Sequence, residues 1–222
     1  MKALKTDNAP NIRYLSDGER ERLYSALKTR QDSQRTARRR HNAWASQRKM
    51  NSIPLLSMTY TDYLMPLVLV AINTGMRRGE LFDLRWSDVS LSSKLISVRG
   101  ETTKSGYTRH IPLTDEASSC LAEWKAANGS RELVFPSPVN GKRLDNINSS
   151  WKGLMKRAQI ENFRFHDLRH HFASSLVMRG VDLNTVRELL GHRDLKTTLC
   201  YAHLAPEHKA AAISMLNTSL SP

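Results

Sequence analysis

Apolar residues recur every three or four positions along most of the chain, a spacing that predicts a mainly helical protein. Ser16 and Glu19 have the spacing of a capping box, and apolar residues follow them at helical intervals. A first helix is therefore predicted over about 17–29. Further helices are predicted over about 59–73, 77–84, 115–127, 144–159, 166–179, 182–190, 194–202 and 206–217.

A short stretch in the middle of the chain is typical of paired strands instead. Residues 95–98 and 109–113 are strand-like, and Gly100 and Gly106 between them fit a hairpin connection. Residues 133–135 are a candidate third strand. The predicted fold is therefore mainly α with a small antiparallel β-sheet, in the α+β class.

The length of 222 residues predicts one domain with a core of its own. Because the capping box begins at residue 16, residues 1–15 are interpreted as an N-terminal linker and residues 16–222 as the domain. The sequence contains no internal repeat and no low-complexity tract.

The chain is strongly basic, with 34 Lys and Arg against 21 Asp and Glu, a formal net charge of +13. Such a charge favours a polyanionic partner, because bound phosphates release their condensed counterions. The plainer alternative is a basic protein with no specific partner. The most basic segment, 30–49, predicts a solvated or mobile stretch. Beside DNA it would follow the phosphate backbone, so Arg38, Arg39 and Arg40 are candidate DNA contacts.

Cysteine usage and hydropathy both indicate a cytoplasmic protein. Cys120 and Cys200 are the only cysteines, and neither position suggests a disulfide. The longest apolar stretch, 63–72, is shorter than the roughly 18 residues that a membrane span requires. The first ten residues also lack the apolar core of a signal peptide.

Two arginines and a histidine are candidates for binding a phosphate. His166 and Arg169 are spaced to share a helix face, and Arg77 is predicted at a helix start, where backbone N–H groups attract anions. A guanidinium suits phosphate because it stays protonated and donates from a planar fork. Each residue also has a structural interpretation: His166 as a helix cap, Arg169 as a surface charge, and Arg77 as an ion-pair partner of Glu80.

Three further residues complete the candidate chemistry. Lys104, in the hairpin connection, is a candidate general acid, although most lysines in turns are simply solvated. Tyr201 is a candidate nucleophile, but a phenol with a pKa of about 10 needs cationic neighbours or a base. His192, after the Gly191 break, is a candidate phosphate ligand. For His192 and Tyr201 the structural alternative is packing between two short C-terminal helices.

Taken in order, these residues and the sequence around them resemble the tyrosine recombinase, or phage integrase, family. The resemblance covers nearly the whole chain, and five separated motifs in one order make it highly specific. The matching segments are 74–81 (TGMRRGEL), 103–113 (TKSGYTRHIPL), 166–170 (HDLRH), 189–192 (LLGH) and Tyr201.

The resemblance implies DNA strand exchange. Tyr201 would attack the scissile phosphate to form a 3′-phosphotyrosyl link, and Lys104 would protonate the leaving 5′ oxygen. His166 would assist proton transfer, as general base toward the tyrosine. Arg77 and Arg169 would clamp the non-bridging oxygens, and the remaining site residue, His192, would hydrogen-bond the phosphate.

The resemblance also implies the partners and the absence of cofactors. The 5′-hydroxyl of a second duplex would rejoin the strand. One phosphodiester replaces another, so neither ATP nor a metal ion is expected, and the sequence has no P-loop glycine pattern. The partner would be double-stranded DNA, bound by a homotetramer that exchanges helix 206–217 between protomers, with a monomer in isolation. The alternative is that helix 206–217 folds back on its own domain. The family's core-binding domain is expected to be absent, because the catalytic domain already begins at residue 16.

Two other functions compete with strand exchange. A type IB topoisomerase would use similar tyrosine chemistry to relax DNA. A non-catalytic DNA-binding module would use the helices predicted over 182–190 and 194–202 as a helix-turn-helix. The complete set of candidate catalytic residues favours an enzyme, because a pure DNA-binding module needs none of them.

Overall fold

The computed structural model describes residues 12–56, 59–100, 108–128 and 131–205. Lys104 and the predicted C-terminal helix 206–217 lie outside these described residues, as does most of the linker 1–15. Nearly all of the other predicted elements lie within the described ranges.

The first helix, α1 (Asp17–Gln47), begins as predicted and continues far beyond the predicted end at residue 29. The hydroxyl of Ser16 accepts a hydrogen bond from the Glu19 amide, and the Glu19 carboxylate accepts one from the Ser16 amide, which confirms the capping box. The predicted end was wrong because residues 30–47 contain neither glycine nor proline and are rich in good helix formers. We call residues 30–47 the basic arm.

A returning segment of chain supports the basic arm along one side. The amide group of Asn42 exchanges two hydrogen bonds with the backbone of Ile53, with donor–acceptor distances of 2.7 and 2.9 Å. Nearer to the core, Arg30 forms an ion pair with Asp62. Of the two predicted alternatives, a solvated or a mobile stretch, the structure shows a solvated helix with most of its side chains exposed.

The other helices build most of the core. The apolar helix α2 packs against α4 and α6, and α5 packs against α1. Two predicted starts, at residues 59 and 144, were too early. These helices are α2 (Leu64–Thr74), α3 (Arg78–Phe82), α4 (Asp115–Asn128), α5 (Asn148–Ala158), α6 (Asp167–Met178), α7 (Leu183–Leu190) and α8 (Lys196–Leu199).

A three-stranded antiparallel sheet in the order β1-β2-β3 covers one side of this core. Its strands are β1 (Val89–Ser90), β2 (Leu95–Val98) and β3 (Arg109–Pro112). The β2–β3 pair confirms the predicted hairpin strands, with Ile96 paired to Ile111 in the core.

The prediction of a third strand at 133–135 is wrong. Leu133 makes only an isolated bridge, with Arg85. The carbonyl of Val134 accepts a hydrogen bond from the Trp124 indole instead of joining the sheet. Pro136, which has no N–H to donate, follows directly.

The C-terminal elements form a second, smaller apolar cluster. The predicted helix over 194–202 is split into α8 and a 3-10 turn (Ala202–Leu204). Side chains of α6 and α7, including Ala173, Val177 and Leu190, pack with Tyr201 in this cluster. Both cysteines are free, as predicted. Among the described helices, none combines the length and the hydropathy needed to cross a bilayer.

Candidate active site

Arg169 connects the ends of two helices in the interior. Its guanidinium donates hydrogen bonds to the carbonyl oxygens of Gly75, after α2, and Leu190, the last residue of α7, at 2.8 and 2.7 Å. The side chain is only 4% exposed. Desolvation, with the positive charge of Arg77, lowers its pKa to about 9, so it remains cationic at neutral pH. The alternative interpretation of Arg169 as a surface charge is wrong.

Glu80 holds two more arginines in the same region. Its carboxylate accepts a bidentate pair of hydrogen bonds from Arg109, at 3.0 and 2.6 Å. It also accepts hydrogen bonds from the backbone amide and the guanidinium of Arg77, at 2.8 and 2.9 Å. Burial by itself raises the pKa of Glu80, but the hydrogen bonds and charges of these arginines outweigh it and lower the pKa. The Arg77–Glu80 pair considered as a structural alternative is therefore present, within a larger network.

The turn after α7 brings this network onto Arg169. Arg77 donates to the carbonyl of Gly191 at 3.3 Å, and Arg109 donates to the carbonyl of Leu189 at 3.0 Å. Gly191 has a φ of +65°, and a Cβ there would lie 2.9 Å from the Arg109 side chain. The turn therefore requires glycine both for its backbone conformation and for the close approach. We call Arg77, Arg109 and Arg169 the arginine cluster.

Tyr201 is held against α6 with its hydroxyl on a histidine. The residue is 2% exposed, and its hydroxyl lies 2.7 Å from Nδ1 of His170. Desolvation raises the pKa of Tyr201, with a further contribution from Cys200, and the nearby Arg169 only partly opposes this. The phenol is therefore protonated at neutral pH and has an imidazole in hydrogen-bond contact.

His166 lies one turn before His170 on the same helix. The two rings pack edge to face, with their centroids 5.3 Å apart. His166 occupies the N-cap position of α6, as the structural alternative proposed, but its side chain makes no capping hydrogen bond. Desolvation, followed by the charges of His170 and Arg169, lowers its pKa. His166 therefore lies next to His170, the imidazole that contacts the Tyr201 hydroxyl.

His192 is linked to the backbone that carries Tyr201. Its Nδ1 lies 2.9 Å from the hydroxyl of Thr198, and the Thr198 carbonyl accepts a hydrogen bond from the Tyr201 amide at 3.0 Å. Desolvation and the positive charges of the arginine cluster lower the pKa of His192 to about 3. The imidazole is therefore neutral at neutral pH. When the Thr198 hydroxyl donates to Nδ1, Nε2 carries the proton and is a donor.

A cavity of about 820 Å³ opens beside the arginine cluster, lined by Arg77 and His166. Its lining combines apolar side chains such as Trp151 and Phe163 with the basic side chains of Lys152 and Arg164. A lining that includes several cationic side chains suits a phosphate-bearing ligand. Within the described ranges, no three His, Cys, Asp or Glu side chains are grouped so that they could hold a metal ion.

The structure thus brings together five of the six predicted catalytic residues and leaves the sixth untested. Around the ends of α2, α6 and α7 lie Arg77, Arg169, His166, His192 and Tyr201. Lys104 lies outside the described residues.

The candidate DNA contacts lie elsewhere, on the basic arm. Arg38 donates a hydrogen bond to the Pro54 carbonyl, whereas Arg39 and Arg40 are exposed. Their contact with DNA stays a prediction.

Three residues of this arrangement, His170, Arg109 and Thr198, were not predicted from the sequence. His170 follows Arg169 directly and lies four residues after His166, a spacing that places both imidazoles on one helix face. That signal was available. The position of Arg109 was not, because only tertiary folding brings β3, which carries Arg109, to Glu80 in α3.

The sequence of the chain matches a known protein family. The sequence pattern of the phage integrase family covers residues 15–208. The integrase of Salmonella phage P22 is 35% identical over 150 residues, covering 62% of this chain and 38% of that protein. Tyrosine recombinase XerC of Xanthomonas axonopodis pv. citri is 35% identical over 149 residues, covering 65% of this chain and 48% of that protein. The chain thus matches less than half the length of each of these relatives.

Solved structures share the fold. XerA recombinase superposes with a TM-score of 0.63 at 25% identity, covering 99% of this chain and 67% of that chain. The catalytic domain of bacteriophage HP1 integrase has a TM-score of 0.64 at 22% identity, covering 94% of this chain and 98% of that chain. XerH recombinase, bound to its difH substrate in a pre-cleavage complex, has a TM-score of 0.65 at 22% identity, covering 93% of this chain and 55% of that chain. The predicted fold class, mainly α with a small antiparallel sheet, is confirmed.

Proposed function

Because the chain belongs to the phage integrase family, we propose that it exchanges DNA strands at a specific site, with Tyr201 as the nucleophile. The observation that carries this proposal is the position of Tyr201. A protonated phenol, with an imidazole 2.7 Å from its hydroxyl, lies beside a buried arginine that belongs to a cluster of three. That combination suits attack on a phosphodiester, because it supplies a nucleophile, a proton acceptor and positive charge together.

The proposed reaction proceeds in two balanced steps. The hydroxyl oxygen of Tyr201 forms a bond to phosphorus as the bond from phosphorus to the 5′ oxygen breaks, which leaves a 3′-phosphotyrosyl link. Lys104 donates the proton that converts the departing oxygen to a 5′-hydroxyl. The 5′-hydroxyl of another strand then attacks the same phosphorus, returns its proton to Lys104 and releases the tyrosine. The number of phosphodiester bonds is unchanged, so the exchange needs no ATP.

Positive charge in the arginine cluster stabilises the transition state of both steps. The phosphorus becomes five-coordinate, and negative charge builds on its non-bridging oxygens. Arg77 and Arg109 share a single carboxylate, Glu80, and Arg169 donates to carbonyl oxygens, so the cluster has excess positive charge for the phosphate. We assign the non-bridging oxygens to Arg77 and Arg169. His192 donates a hydrogen bond from Nε2, and this assembly takes the place of a metal ion.

Double-stranded DNA is the proposed partner. The formal charge of +13 supports binding to phosphates along an extended surface. On the basic arm, Arg39 and Arg40 are exposed and so can approach a DNA backbone. A homotetramer on DNA that exchanges helix 206–217 between protomers remains our expectation for the assembly, with a monomer in isolation.

Covalent capture on randomised DNA tests this function and selects the target site in the same experiment. A library of duplexes with randomised sequence and a nick near the expected cleavage position is incubated with the protein, and SDS-resistant adducts are recovered. Because the nicked strand releases a short fragment, rejoining is prevented and the adduct accumulates. We expect adducts with the wild-type protein and none with Tyr201→Phe. Tyr24→Phe is the matched control, because it removes a hydroxyl that bonds to Glu116 instead.

Each other outcome has a defined meaning. An adduct that persists in Tyr201→Phe would identify another nucleophile. Binding without any adduct across the library would favour the non-catalytic module. Rapid relaxation of a supercoiled plasmid that carries no recovered site would favour a topoisomerase.

A further inference from the structure

The hydroxyl of Tyr201 contacts an imidazole that the catalytic set inferred from the sequence does not include. Nδ1 of His170 lies 2.7 Å from the Tyr201 oxygen, a normal distance for a strong hydrogen bond. The two rings are tilted at 47° with centroids 5.9 Å apart. His170 lies in the first half of α6, so a packed helix holds its ring in place.

We propose that His170, rather than His166, accepts the proton of Tyr201 when the phenol attacks the phosphate. The proposal rests on the proposed function. A proton acceptor must lie within hydrogen-bond reach of the proton that it takes. His170 meets this condition, whereas His166 is exposed and packs edge to face on the His170 ring.

Burial of His170 favours its neutral form, which is the form that can accept a proton. Asp167 and Arg169 lie in α6, His166 is the residue before it and Arg164 precedes that, Tyr201 follows α8, and His192 follows α7. Desolvation lowers the pKa of His170. Asp167 opposes this shift, while Arg164 and Arg169 add to it.

The proton transfer completes the first step of the reaction. As the Tyr201 oxygen bonds to phosphorus, its proton moves to Nδ1 of His170, and the imidazole becomes a cation. In the rejoining step the bond between phosphorus and the tyrosine oxygen breaks, and His170 returns the proton to the phenolate. No other reactant is needed, and His170 is neutral again at the end of the exchange.

Nitrogen NMR on the free protein tests the contact without DNA. With 15N-labelled histidine, we expect Nδ1 of His170 to be unprotonated at neutral pH and Nε2 to carry the hydrogen. In Tyr201→Phe the pKa of His170 should rise, because the lost hydrogen bond favoured the neutral ring. A protonated Nδ1, or a His170 pKa that does not respond to Tyr201→Phe, would overturn the proposal.

Substitution by asparagine separates holding the phenol from taking its proton. The Oδ1 atom of an asparagine occupies roughly the position of Nδ1, so His170→Asn keeps a hydrogen-bond acceptor that has almost no basicity. We expect adduct formation on the captured duplex to fall by about 100-fold or more, the usual contribution of a general base. His171→Asn is the matched control, because it removes the neighbouring imidazole of the same helix, whose Nδ1 has no hydrogen-bond partner among the described residues. Thermal unfolding of both variants checks that they fold.

The pH profile of adduct formation and a substrate with a different leaving group then identify the proton transfer in which His170 takes part. Wild-type adduct formation should be constant above the pKa of His170, whereas the rate of His170→Asn should rise about tenfold per pH unit, following the ionised phenol. A substrate with sulfur in place of the 5′ oxygen needs no proton on departure. This substrate should restore the rate of adduct formation by Lys104→Ala, whereas adduct formation by His170→Asn should remain slow.

The remaining results discriminate between the two proposals. An asparagine variant within threefold of wild type, with the wild-type pH profile, would overturn the role of His170 and leave the proposed function intact. A large loss in His166→Asn with no loss in His170→Asn would return the role to His166. No adduct from the wild-type protein on any duplex would overturn the proposed function and this step with it.

Discussion

Replacing Glu80 by glutamine tests whether one carboxylate holds the arginine cluster together. The substitution keeps the size and planarity of the side chain and removes its charge. The Glu80 side chain is 2% exposed, and that of its bidentate partner Arg109 is 8% exposed. Glutamine offers one acceptor oxygen where the carboxylate offers two, so at least one of the contacts from Arg77 and Arg109 must be lost. The buried positive charge of Arg109 then loses its carboxylate partner.

Removing one member of a buried ion pair costs about 3–5 kcal/mol, because the remaining charge stays desolvated. The amide retains some hydrogen bonding, so we expect Glu80→Gln to fall at the lower end of that range. For a domain of this size, each kcal/mol shifts the midpoint of thermal unfolding by about 2–4 °C. A decrease of about 6–12 °C corresponds to the lower estimate of about 3 kcal/mol.

Urea unfolding followed by circular dichroism measures this loss directly. The midpoint should decrease while the slope with urea stays constant, because the buried surface changes little. Glu132→Gln is the control: its pair with Arg85 is exposed, so the loss should be below about 1 kcal/mol. Adding Arg109→Met to Glu80→Gln should recover part of the stability, since it removes the unpaired charge.

The pH dependence provides an independent check. The folded-state pKa of Glu80 lies below its ordinary value of 4.5. The contribution of the ionised Glu80 to the free energy of unfolding is therefore present above that pH and is lost as the pH falls through the folded pKa. The difference in free energy of unfolding between wild type and Glu80→Gln should be largest at neutral pH and should decrease below about pH 4.5. A loss under about 1 kcal/mol at neutral pH, or a difference that does not narrow in acid, would refute the argument that a charged Glu80 organises the cluster.

Three further predictions address the turn, the histidines and the basic arm. Gly191→Ala should lower the urea midpoint and reduce adduct formation, because its positive φ and the clash with Arg109 both oppose a Cβ; a neutral effect on both would show that the turn adapts. Stability should decline as the pH falls below about 6.5, because burial lowers the folded-state pKa of His192 to about 3 and that of His171 to about 4, and the unfolded chain then binds more protons. His171→Gln should flatten this decline, as measured by urea unfolding at several pH values. Arg39→Ala should reduce the slope of log affinity against log salt concentration for a random duplex by about 0.9, the value for one phosphate contact. Fluorescence anisotropy measures this slope, and an unchanged slope would show that Arg39 does not contact DNA.

Local patterns were sufficient for most of the elements. The capping box at Ser16 determined where α1 begins, because it depends on residues only three apart. Strands β2 and β3 were evident from composition and turn residues. Local helix formers and a more distant contact together explain why α1 is longer than predicted. The basic arm stays helical beyond residue 29 partly because Asn42 binds the returning segment at Ile53, eleven residues away.

The candidate site divides in the same way. The sequence alone determined the residue types, their order and the family resemblance, and hence the chemistry that they suggest. Only the tertiary structure decided which groups touch. Arg109 reaches Glu80, and His170 reaches Tyr201, across 29 and 31 residues of chain. Such pairings depend on how helices and strands pack, and the residues between the partners carry no periodic signal of the contact. Burial follows from the same packing, and it is burial that raises the pKa of Tyr201 and lowers those of the surrounding histidines.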